Sequence, residues 1–283
     1  MSKIFEALQR AEQAQGQDEK IAAVDDLALN LDLSEELVVL GRPGSAVAEQ
    51  FRYLRALITQ PTEGSVPKTV LMTSSLQGEG KTFTSCNLAV TIAQGLDEHV
   101  LLVDADLRNP RLHNMFGLQN GDKGLSTHLV RDEPLQNLLY RTDINKLTIL
   151  PAGQEAENPA EILSSDRMKQ FIAEVRDRYS DRLVIFDSSP VQLAPETMVV
   201  ANEVDGIFLL VYRGRSPRGA VQNTIERFKQ DKFKGVIFNG YEHPAHKKYQ
   251  KKGYGYGYGY GYGYGKKDEV SKREGGTEGE RKD

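Results

Sequence analysis

A glycine-rich stretch that precedes a lysine and a threonine is the first candidate functional site in the sequence. Residues 69–82 read T-V-L-M-T-S-S-L-Q-G-E-G-K-T, an apolar run that gives way to glycines and then to a helical pattern. Gly78 and Gly80 let the backbone approach a phosphate and turn its N–H groups inward. Lys81 would then reach the β- and γ-phosphates, and Thr82 would offer its hydroxyl to Mg²⁺. The spacing predicts a strand, a phosphate-binding loop and a helix that bind a nucleoside triphosphate.

Three carboxylates strengthen this interpretation. The full phosphate-loop pattern begins with glycine, and this chain has Ser75 there, so the loop alone is also compatible with a solvated turn. However, Asp104 and Asp106 follow one apolar strand, and Asp187 ends another. Because the C-terminal ends of parallel strands share one edge of a sheet, the three can converge on a metal beside the phosphates. The alternative, that each Asp only caps a helix or turn, fits one of them easily and all three poorly.

Length and composition limit the class of protein. The chain has 283 residues, 39% hydrophobic and 27% charged, which favours one α/β domain of roughly 200 residues with terminal extensions. A net charge of -4 argues against nucleic acid as the main partner. Cys86 is the single cysteine, so we expect no disulfide within the chain and a reducing cytoplasm. No apolar run approaches the about 18 residues that span a bilayer, and a signal peptide's apolar core is absent.

The first 44 residues form a separate region by composition. Ile4, Phe5, Leu8 and Ala11 share one helical face, and so short a helix either packs on its own domain or docks on a partner. Residues 16–44 are rich in Asp and Glu and end in G-R-P-G. We therefore expect residues 1–44 to be an N-terminal helix followed by an acidic linker.

A helix is predicted from an N-cap at Ser45 to about Gln60. Its predicted apolar stripe consists of Val47, Phe51, Leu54 and Ile58. Glu49, Arg52 and Arg55 lie three residues apart and stack along another face. That face is either an ordinary solvated surface or a subunit contact, in which guanidinium groups meet a neighbour's carboxylates.

The rest of the domain alternates strands and helices. After the strand of Asp104 we predict a helical segment at 124–129, a strand at 147–153, helices at 158–163 and about 166–178, the strand of Asp187, a strand at 206–212, a helix at 218–230 and a strand at 233–239. Such alternation predicts an α/β fold with a doubly wound, mostly parallel sheet.

The C-terminal region contains a tyrosine array. From Gly253 to Gly265 the chain alternates glycine and tyrosine, with lysine pairs on both sides. The array consists of Tyr254, Tyr256, Tyr258, Tyr260, Tyr262 and Tyr264. A glycine at every second position makes a strand entropically costly, so we expect residues 241–283 to be disordered. The array is either a low-complexity segment without a chemical role or a set of phosphate acceptors.

The chain resembles the bacterial tyrosine autokinases (BY-kinases) of capsule and exopolysaccharide synthesis. The resemblance rests on S-S-L-Q-G-E-G-K-T, L-L-V-D-A-D-L-R-N-P-R-L-H, L-P-A-G with N-P-A-E-I-L, I-F-D-S-S-P and the tyrosine-rich tail, and it covers residues 45 to about 264. It implies a P-loop NTPase of the deviant-Walker (MinD/ParA-like) type over residues 45–240, followed by the tail at 241–283. The chain departs from the family pattern at Ser189, where the family commonly has Pro, and at Gln77, which replaces a frequent Pro.

The resemblance also implies an activity and partners. It implies an ATP- and Mg²⁺-dependent protein-tyrosine kinase that autophosphorylates its tyrosine array in trans and regulates polysaccharide polymerisation and export. In this family E-x-x-R-x-x-R, here Glu49, Arg52 and Arg55, mediates assembly of a ring, and the resemblance suggests an octamer. The implied partners are a separate membrane-embedded polysaccharide co-polymerase that activates the kinase and a cognate tyrosine phosphatase. The kinase would be cytoplasmic and recruited peripherally to the inner face of the membrane.

Roles for the site residues combine the motif chemistry with the resemblance. The predicted nucleotide-binding residues are Gly78, Glu79, Gly80, Lys81, Thr82, Phe83 and Asn239, the last by a contact with adenine. The predicted magnesium ligands, direct or through water, are Thr82, Asp106 and Asp187. The predicted catalytic residues are Lys81, Asp104 and Asp106. The resemblance makes Asp104 the base for the tyrosine hydroxyl, although the roles of Asp104 and Asp106 are exchangeable at this level.

A second class shares the three motifs. ATPases of the MinD/ParA type act as dimeric spatial switches, and their output is hydrolysis without protein phosphorylation. They carry an extra lysine where this chain has Leu76, and often a basic amphipathic C-terminal helix where it has Gly-Tyr repeats. Both differences favour the kinase. The third possibility is a regulatory adaptor that has lost its catalytic activity.

Overall fold

The computed structural model describes residues 33–118, 122–154, 156–177 and 182–241. The chain divides into one unit of Met1–His243 and a second of Pro244–Asp283, and the second lies wholly outside the described residues. The predicted N-terminal helix and the tyrosine array also lie outside them.

One seven-stranded sheet forms the centre of the described structure. Its strands are β1 (Thr69–Ser74), β2 (His99–Ala105), β3 (Tyr140–Arg141), β4 (Leu147–Leu150), β5 (Arg182–Ser188), β6 (Gly206–Tyr212) and β7 (Phe233–Asn239). Their order is β3-β4-β2-β5-β1-β6-β7, and only the β3–β4 pair is antiparallel. The predicted, mostly parallel doubly wound sheet is confirmed.

Helices cover both faces of this sheet. They are α1 (Val38–Gly41), α2 (Ala46–Thr59), α3 (Lys81–Ala93), α4 (Leu112–Met115), α5 (Leu125–Arg131), α6 (Pro159–Leu163), α7 (Asp166–Asp177), α8 (Thr197–Glu203) and α9 (Arg218–Ile225). One apolar cluster joins α2 and α3 to the sheet, and another joins α7 and α8 to the opposite face. Since β1, β2 and β5 are buried on both faces, they read as continuous apolar runs. No helix within the described ranges is long and apolar enough to cross a membrane.

Helix α2 begins where the sequence predicts but buries a slightly different face. The Ser45 hydroxyl accepts a hydrogen bond from the Ala48 N–H at 3.1 Å, which confirms the N-cap. Phe51 and Ile58 are buried as predicted, whereas Val47 is 46% exposed and Ala48 is buried instead. The prediction for Val47 was wrong because the buried arc of the helix is turned toward Ala48 and the half-buried Arg55.

Helix α9 is shorter than predicted. It ends at Ile225 rather than near residue 230. After Ile225 the chain forms a tighter turn of the 3₁₀ type, in which the N–H of Phe228 donates to Ile225 O at 3.0 Å, three residues earlier. The tighter turn brings the Phe228 ring onto Phe233 at the start of β7, with the ring centroids 6.0 Å apart. Packing between two aromatic side chains therefore ends the helix early.

Candidate active site

The phosphate loop lies between β1 and α3, as predicted. Gly78 and Gly80 have φ of 78° and 89°, in the left-handed region that favours glycine. A Cβ built on Gly80 would lie 2.1 Å from Asn239 Nδ2, so a side chain here would displace Asn239. Gly80 is also the N-cap residue of α3, so the first N–H groups of a 13-residue helix open onto the loop. The loop thus has the backbone conformation and helix terminus that an anion site needs.

Lys81 lies at the base of this loop and is buried. Its Nζ donates to Ser74 Oγ at 3.2 Å. Burial lowers the pKa of the Lys81 ammonium below its usual value, although the carboxylates of Asp187, Asp106 and Glu79 act in the opposite direction. A bound phosphate would add negative charge beside the ammonium and raise that pKa.

Asp187 joins the end of β5 to the first turns of α3. Its Oδ2 accepts from Thr82 Oγ1 at 2.7 Å, and its Oδ1 accepts from Ser85 Oγ at 3.0 Å. Burial raises the pKa of Asp187 to about 6, and the hydrogen bond from Thr82 and the charge of Lys81 limit the rise. The structure therefore brings together Thr82 and Asp187, two of the three predicted magnesium ligands.

The donor set around Asp187 fits magnesium. A hydroxyl and a carboxylate are hard oxygen ligands, which Mg²⁺ prefers, and Mg²⁺ commonly uses one or two carboxylates together with substrate phosphates and water. Among the described residues no group of three or more His, Cys, Asp or Glu could hold a metal by itself. This arrangement agrees with a magnesium ion that is bound together with a nucleotide.

Asp104 is fully buried at the end of β2, opposite Asp187 in the register of the two strands. Its Oδ1 accepts from the Asp106 N–H at 3.1 Å. Its Oδ2 accepts from the N–H groups of Arg111 and Leu112, each at 3.1 Å. Burial, followed by the charges of Asp187 and Asp106, raises the pKa of Asp104 well above its usual value. Asp104 therefore holds the loop between β2 and α4 in place.

Asp106 has a different environment, two residues later. It is half-buried, and its Oδ1 accepts from the Asn109 N–H at 3.1 Å and from the hydroxyl of Ser189. Ser189 stands where the family pattern commonly has proline. The sequence indicated it only as a departure, but its hydroxyl positions Asp106. Its place two residues after Asp187, at the same sheet edge, was the signal that could have identified it.

Arg108 and Glu196 also join two loops at this edge, and sequence reasoning missed the pair. Arg108 Nε donates to Glu196 Oε1 at 2.6 Å, and this hydrogen bond raises the pKa of Arg108. The Glu196 side chain is 2% exposed, whereas that of Arg108 is 44% exposed. The pair ties the loop after β2 to the segment that leads into α8. Nothing in the local sequence around Glu196 indicates this contact, because 88 residues separate the two.

The remaining predicted nucleotide-binding residues surround the loop. Glu79 is buried, and its Oε2 accepts from the Leu76 N–H at 2.8 Å. Asn239 Nδ2 donates to the Glu79 backbone carbonyl at 3.0 Å, so the end of β7 meets the phosphate loop. The ring of Phe83 packs on Phe51 of α2 with 5.9 Å between centroids. A contact of Phe83 with phosphate would therefore come from its backbone.

The charged face of α2 makes contacts within the chain. Arg52 pairs with Glu49, and its Nη2 donates to Pro43 O at 2.8 Å. Arg55 Nη1 donates to Thr91 O, in the last turn of α3, at 3.2 Å. The side chains of Arg52 and Glu49 remain 41% and 63% exposed.

Comparisons with known proteins agree with this geometry. Residues 70–256 match the family of CobQ/CobB/MinD/ParA nucleotide binding domains (CbiA). The chain is 32% identical to the tyrosine-protein kinase YwqD of Bacillus subtilis over 219 residues, 77% of this chain and 91% of that protein. It is 30% identical to the tyrosine-protein kinase CpsD of Streptococcus agalactiae over 200 residues, 70% of this chain and 84% of that one.

Among solved structures, the kinase domain of the Escherichia coli tyrosine kinase ETK is similar with a TM-score of 0.67 and 30% identity, covering 80% of this chain and 84% of that chain. The chain therefore belongs to the CobQ/CobB/MinD/ParA nucleotide-binding family and, within it, to the bacterial tyrosine kinases.

Proposed function

We propose that this protein is an ATP-dependent protein-tyrosine kinase that autophosphorylates its C-terminal tyrosine array in trans and thereby regulates exopolysaccharide or capsule polymerisation and export. One observation carries the proposal. The phosphate-loop lysine lies at the same sheet edge as Asp104 near the end of β2, Asp106 just after β2 and Asp187 near the end of β5, in a chain of the bacterial tyrosine-kinase family. Phosphoryl transfer needs a cation clamp, a metal and a group that orients the attacking oxygen. Lys81 would act as the clamp, and the carboxylates would help to hold the metal and orient the oxygen.

ATP and Mg²⁺ are the proposed cofactors. The amides of residues 78–82 and the ammonium of Lys81 would hold the phosphates. Thr82 and Asp187 would hold the magnesium ion, with Asp106 close to it, directly or through water. The ion, when bound, would neutralise charge that develops on the transferred phosphoryl group. Burial of Lys81 and Asp187 lowers the local dielectric, which strengthens these charge interactions.

The two candidate bases differ in access. Both oxygens of Asp104 already accept backbone N–H groups, and the side chain is fully buried. Asp106 is half-buried and has only Asn109 and Ser189 as partners among the hydrogen bonds of the described residues. We assign Asp106 to receive or orient the tyrosine hydroxyl and Asp104 to position the loop that carries it. Asp104 would reach the hydroxyl only if that loop moved.

The proposed acceptors are Tyr254, Tyr256, Tyr258, Tyr260, Tyr262 and Tyr264. The sequence supports this assignment, because the array begins a short distance after the kinase domain. From Tyr241 to Tyr254 the chain has 13 residues, which can span about 40 Å at roughly 3.3 Å each. This length allows the array of one chain to enter the site of a neighbouring chain.

The proposed assembly and partners follow the family. Glu49, Arg52 and Arg55 would contribute to a ring of copies, with an octamer as the proposed size, and the exposed part of this face leaves room for such contacts. A membrane-embedded polysaccharide co-polymerase, as a separate polypeptide, would activate the kinase and recruit it from the cytoplasm to the inner face of the membrane. A cognate tyrosine phosphatase would remove the phosphates from the array.

The test uses the purified full chain with labelled ATP and Mg²⁺, followed by detection of phosphotyrosine on the chain. We expect label on the tyrosine array. Hydrolysis of ATP without phosphotyrosine would support the spatial-switch ATPase instead. Binding without either reaction would support an adaptor.

A further inference from the structure

Glu79 lies within the phosphate loop, but both oxygens of its carboxylate accept hydrogen bonds from other residues of the chain. The residue is 1% exposed, while Gln77 and Gly78 beside it are exposed. Oε2 accepts from the Leu76 N–H at 2.8 Å, which closes the loop on itself. Oε1 accepts from the hydroxyl of Ser216, which follows β6 and lies 137 residues away in the sequence. A buried carboxylate is costly unless donors satisfy it, so the loop conformation depends on both hydrogen bonds.

The Ser216 hydroxyl is held in the orientation that serves Glu79. The Tyr212 N–H donates to Ser216 Oγ at 2.9 Å, so one lone pair of the hydroxyl is used. Its single proton then has two acceptors within reach, Tyr212 O at 3.2 Å and Glu79 Oε1. The carboxylate is the stronger acceptor because the hydrogen bond is charge-assisted. The end of β6 therefore fixes Ser216, and Ser216 fixes Glu79.

Asn239 holds the same residue from its backbone side. Its Nδ2 donates to Glu79 O at 3.0 Å, and its Oδ1 accepts from the Gly240 N–H at 2.8 Å. Its own carbonyl accepts from the Arg213 N–H at 3.0 Å, which joins the ends of β6 and β7. Glu79 is thus restrained through its side chain and its peptide group by two neighbouring strands. The loop amides that follow it are held in place before a phosphate arrives, and such preorganisation lowers the cost of binding.

We propose that Ser216 is a positioning residue for nucleotide binding, which acts through the buried carboxylate of Glu79 and does not touch the nucleotide. The proposal rests on the proposed nucleotide site and not on tyrosine phosphorylation. A wild-type chain that binds ADP but forms no phosphotyrosine would overturn the kinase proposal. The effect of Ser216 on nucleotide affinity could still be measured in that chain.

The experiment compares the wild type with Ser216→Ala. It measures the Kd of Mg²⁺-ADP by calorimetry, and the kcat and the KM for ATP from the rate at which ADP is formed. Loss of one hydrogen bond to a buried charge should raise both Kd and KM roughly tenfold. The kcat should stay within about twofold, since the loop holds nucleotide equally in the ground and transition states. Ser216→Thr keeps the hydroxyl and should restore the wild-type Kd.

Ser164→Ala is the matched control. Ser164 is exposed after α6, and its side chain makes no hydrogen bond among those found in the described residues. Its removal should leave Kd unchanged. If Ser216→Ala fails to fold, Ser216→Cys, which keeps the size and weakens the donor, should show the same direction of change. A Kd within twofold of wild type for the folded variant, or a fall in kcat without a change in Kd, would overturn the proposal.

Discussion

At the scale of residues, Asp104 and Asp106 show how two identical side chains acquire different roles. The sequence placed both at one strand end but could not separate them, because β2 ends at Ala105 and the alternation of a strand stops between them. Asp104 remains in the core and accepts three N–H groups, whereas Asp106 is half-buried beside Ser189. Burial and loop geometry, which depend on tertiary structure, decide which carboxylate can meet a substrate.

Substitution of each carboxylate by Asn should separate these roles. Asp106→Asn should lower the rate of autophosphorylation by about 10²–10⁴, the usual contribution of a general base, with little change in the free energy of unfolding. Asp104→Asn should lower the free energy of unfolding by roughly 1–3 kcal/mol, because an amide NH₂ would face backbone N–H groups of the loop. Rates and urea unfolding of both variants check this. Full activity in Asp106→Asn, together with an inactive but normally stable Asp104→Asn, would reverse the assignment.

Asp187 should make stability depend on pH. Burial raises its folded pKa to about 6, above about 3.9 in the unfolded chain. The folded state therefore binds the extra proton between these values, and its contribution to the free energy of unfolding falls as pH rises from about 4 to about 6. The difference in unfolding free energy between nucleotide-free wild type and Asp187→Asn should decrease by about 3 kcal/mol over this window. A flat difference would show that the folded pKa is unshifted.

At the scale of elements, the order of the strands explains why the site forms. Strand β5 lies between β1 and β2, so Asp187 meets both the phosphate loop and Asp104. Apolar runs and Gly-Lys-Thr predicted α3 and every strand except the two-residue β3, since these signals are local. The early end of α9 and the exposure of Val47 were not predictable, because aromatic packing and the neighbouring helix decide them. The contacts of Ser216 and Glu196 were missed because their partners, Glu79 and Arg108, lie far away in the sequence.

The α2 face gives a prediction about assembly. Arg52→Ala should shift a large oligomer toward smaller species with ADP binding unchanged, because its exposed guanidinium would lose a neighbour's carboxylate. Arg55→Ala should also lower the melting temperature, since Arg55 donates to the last turn of α3. Light scattering and thermal melting measure both effects. Lys169→Ala, which removes another exposed i,i+3 ion pair on α7, is the control. An unchanged mass for the Arg52→Ala, Arg55→Ala double variant would exclude the interface.

At the scale of the whole molecule, charge connects the array to assembly. The chain carries a formal charge of -4, and six phosphotyrosines would add roughly -9 to -12. Lys247, Lys248, Lys251, Lys252, Lys266 and Lys267 can neutralise only part of this. A phosphorylated tail should therefore leave an acidic site and repel its neighbours, which would loosen a ring. This prediction rests on residue types and their spacing alone.

One mixing experiment tests most directly whether the array is phosphorylated in trans. A Lys81→Ala chain keeps all six tyrosines but lacks the ammonium on the transferred phosphate, while a second chain keeps Lys81 and has the six array tyrosines replaced by Phe. Incubated alone with labelled ATP and Mg²⁺, neither should carry phosphotyrosine in the array. Mixed, the pair should place phosphotyrosine on the Lys81→Ala chain. Label on Lys81→Ala incubated alone, or an unlabelled mixture beside an active wild type, would contradict the claim.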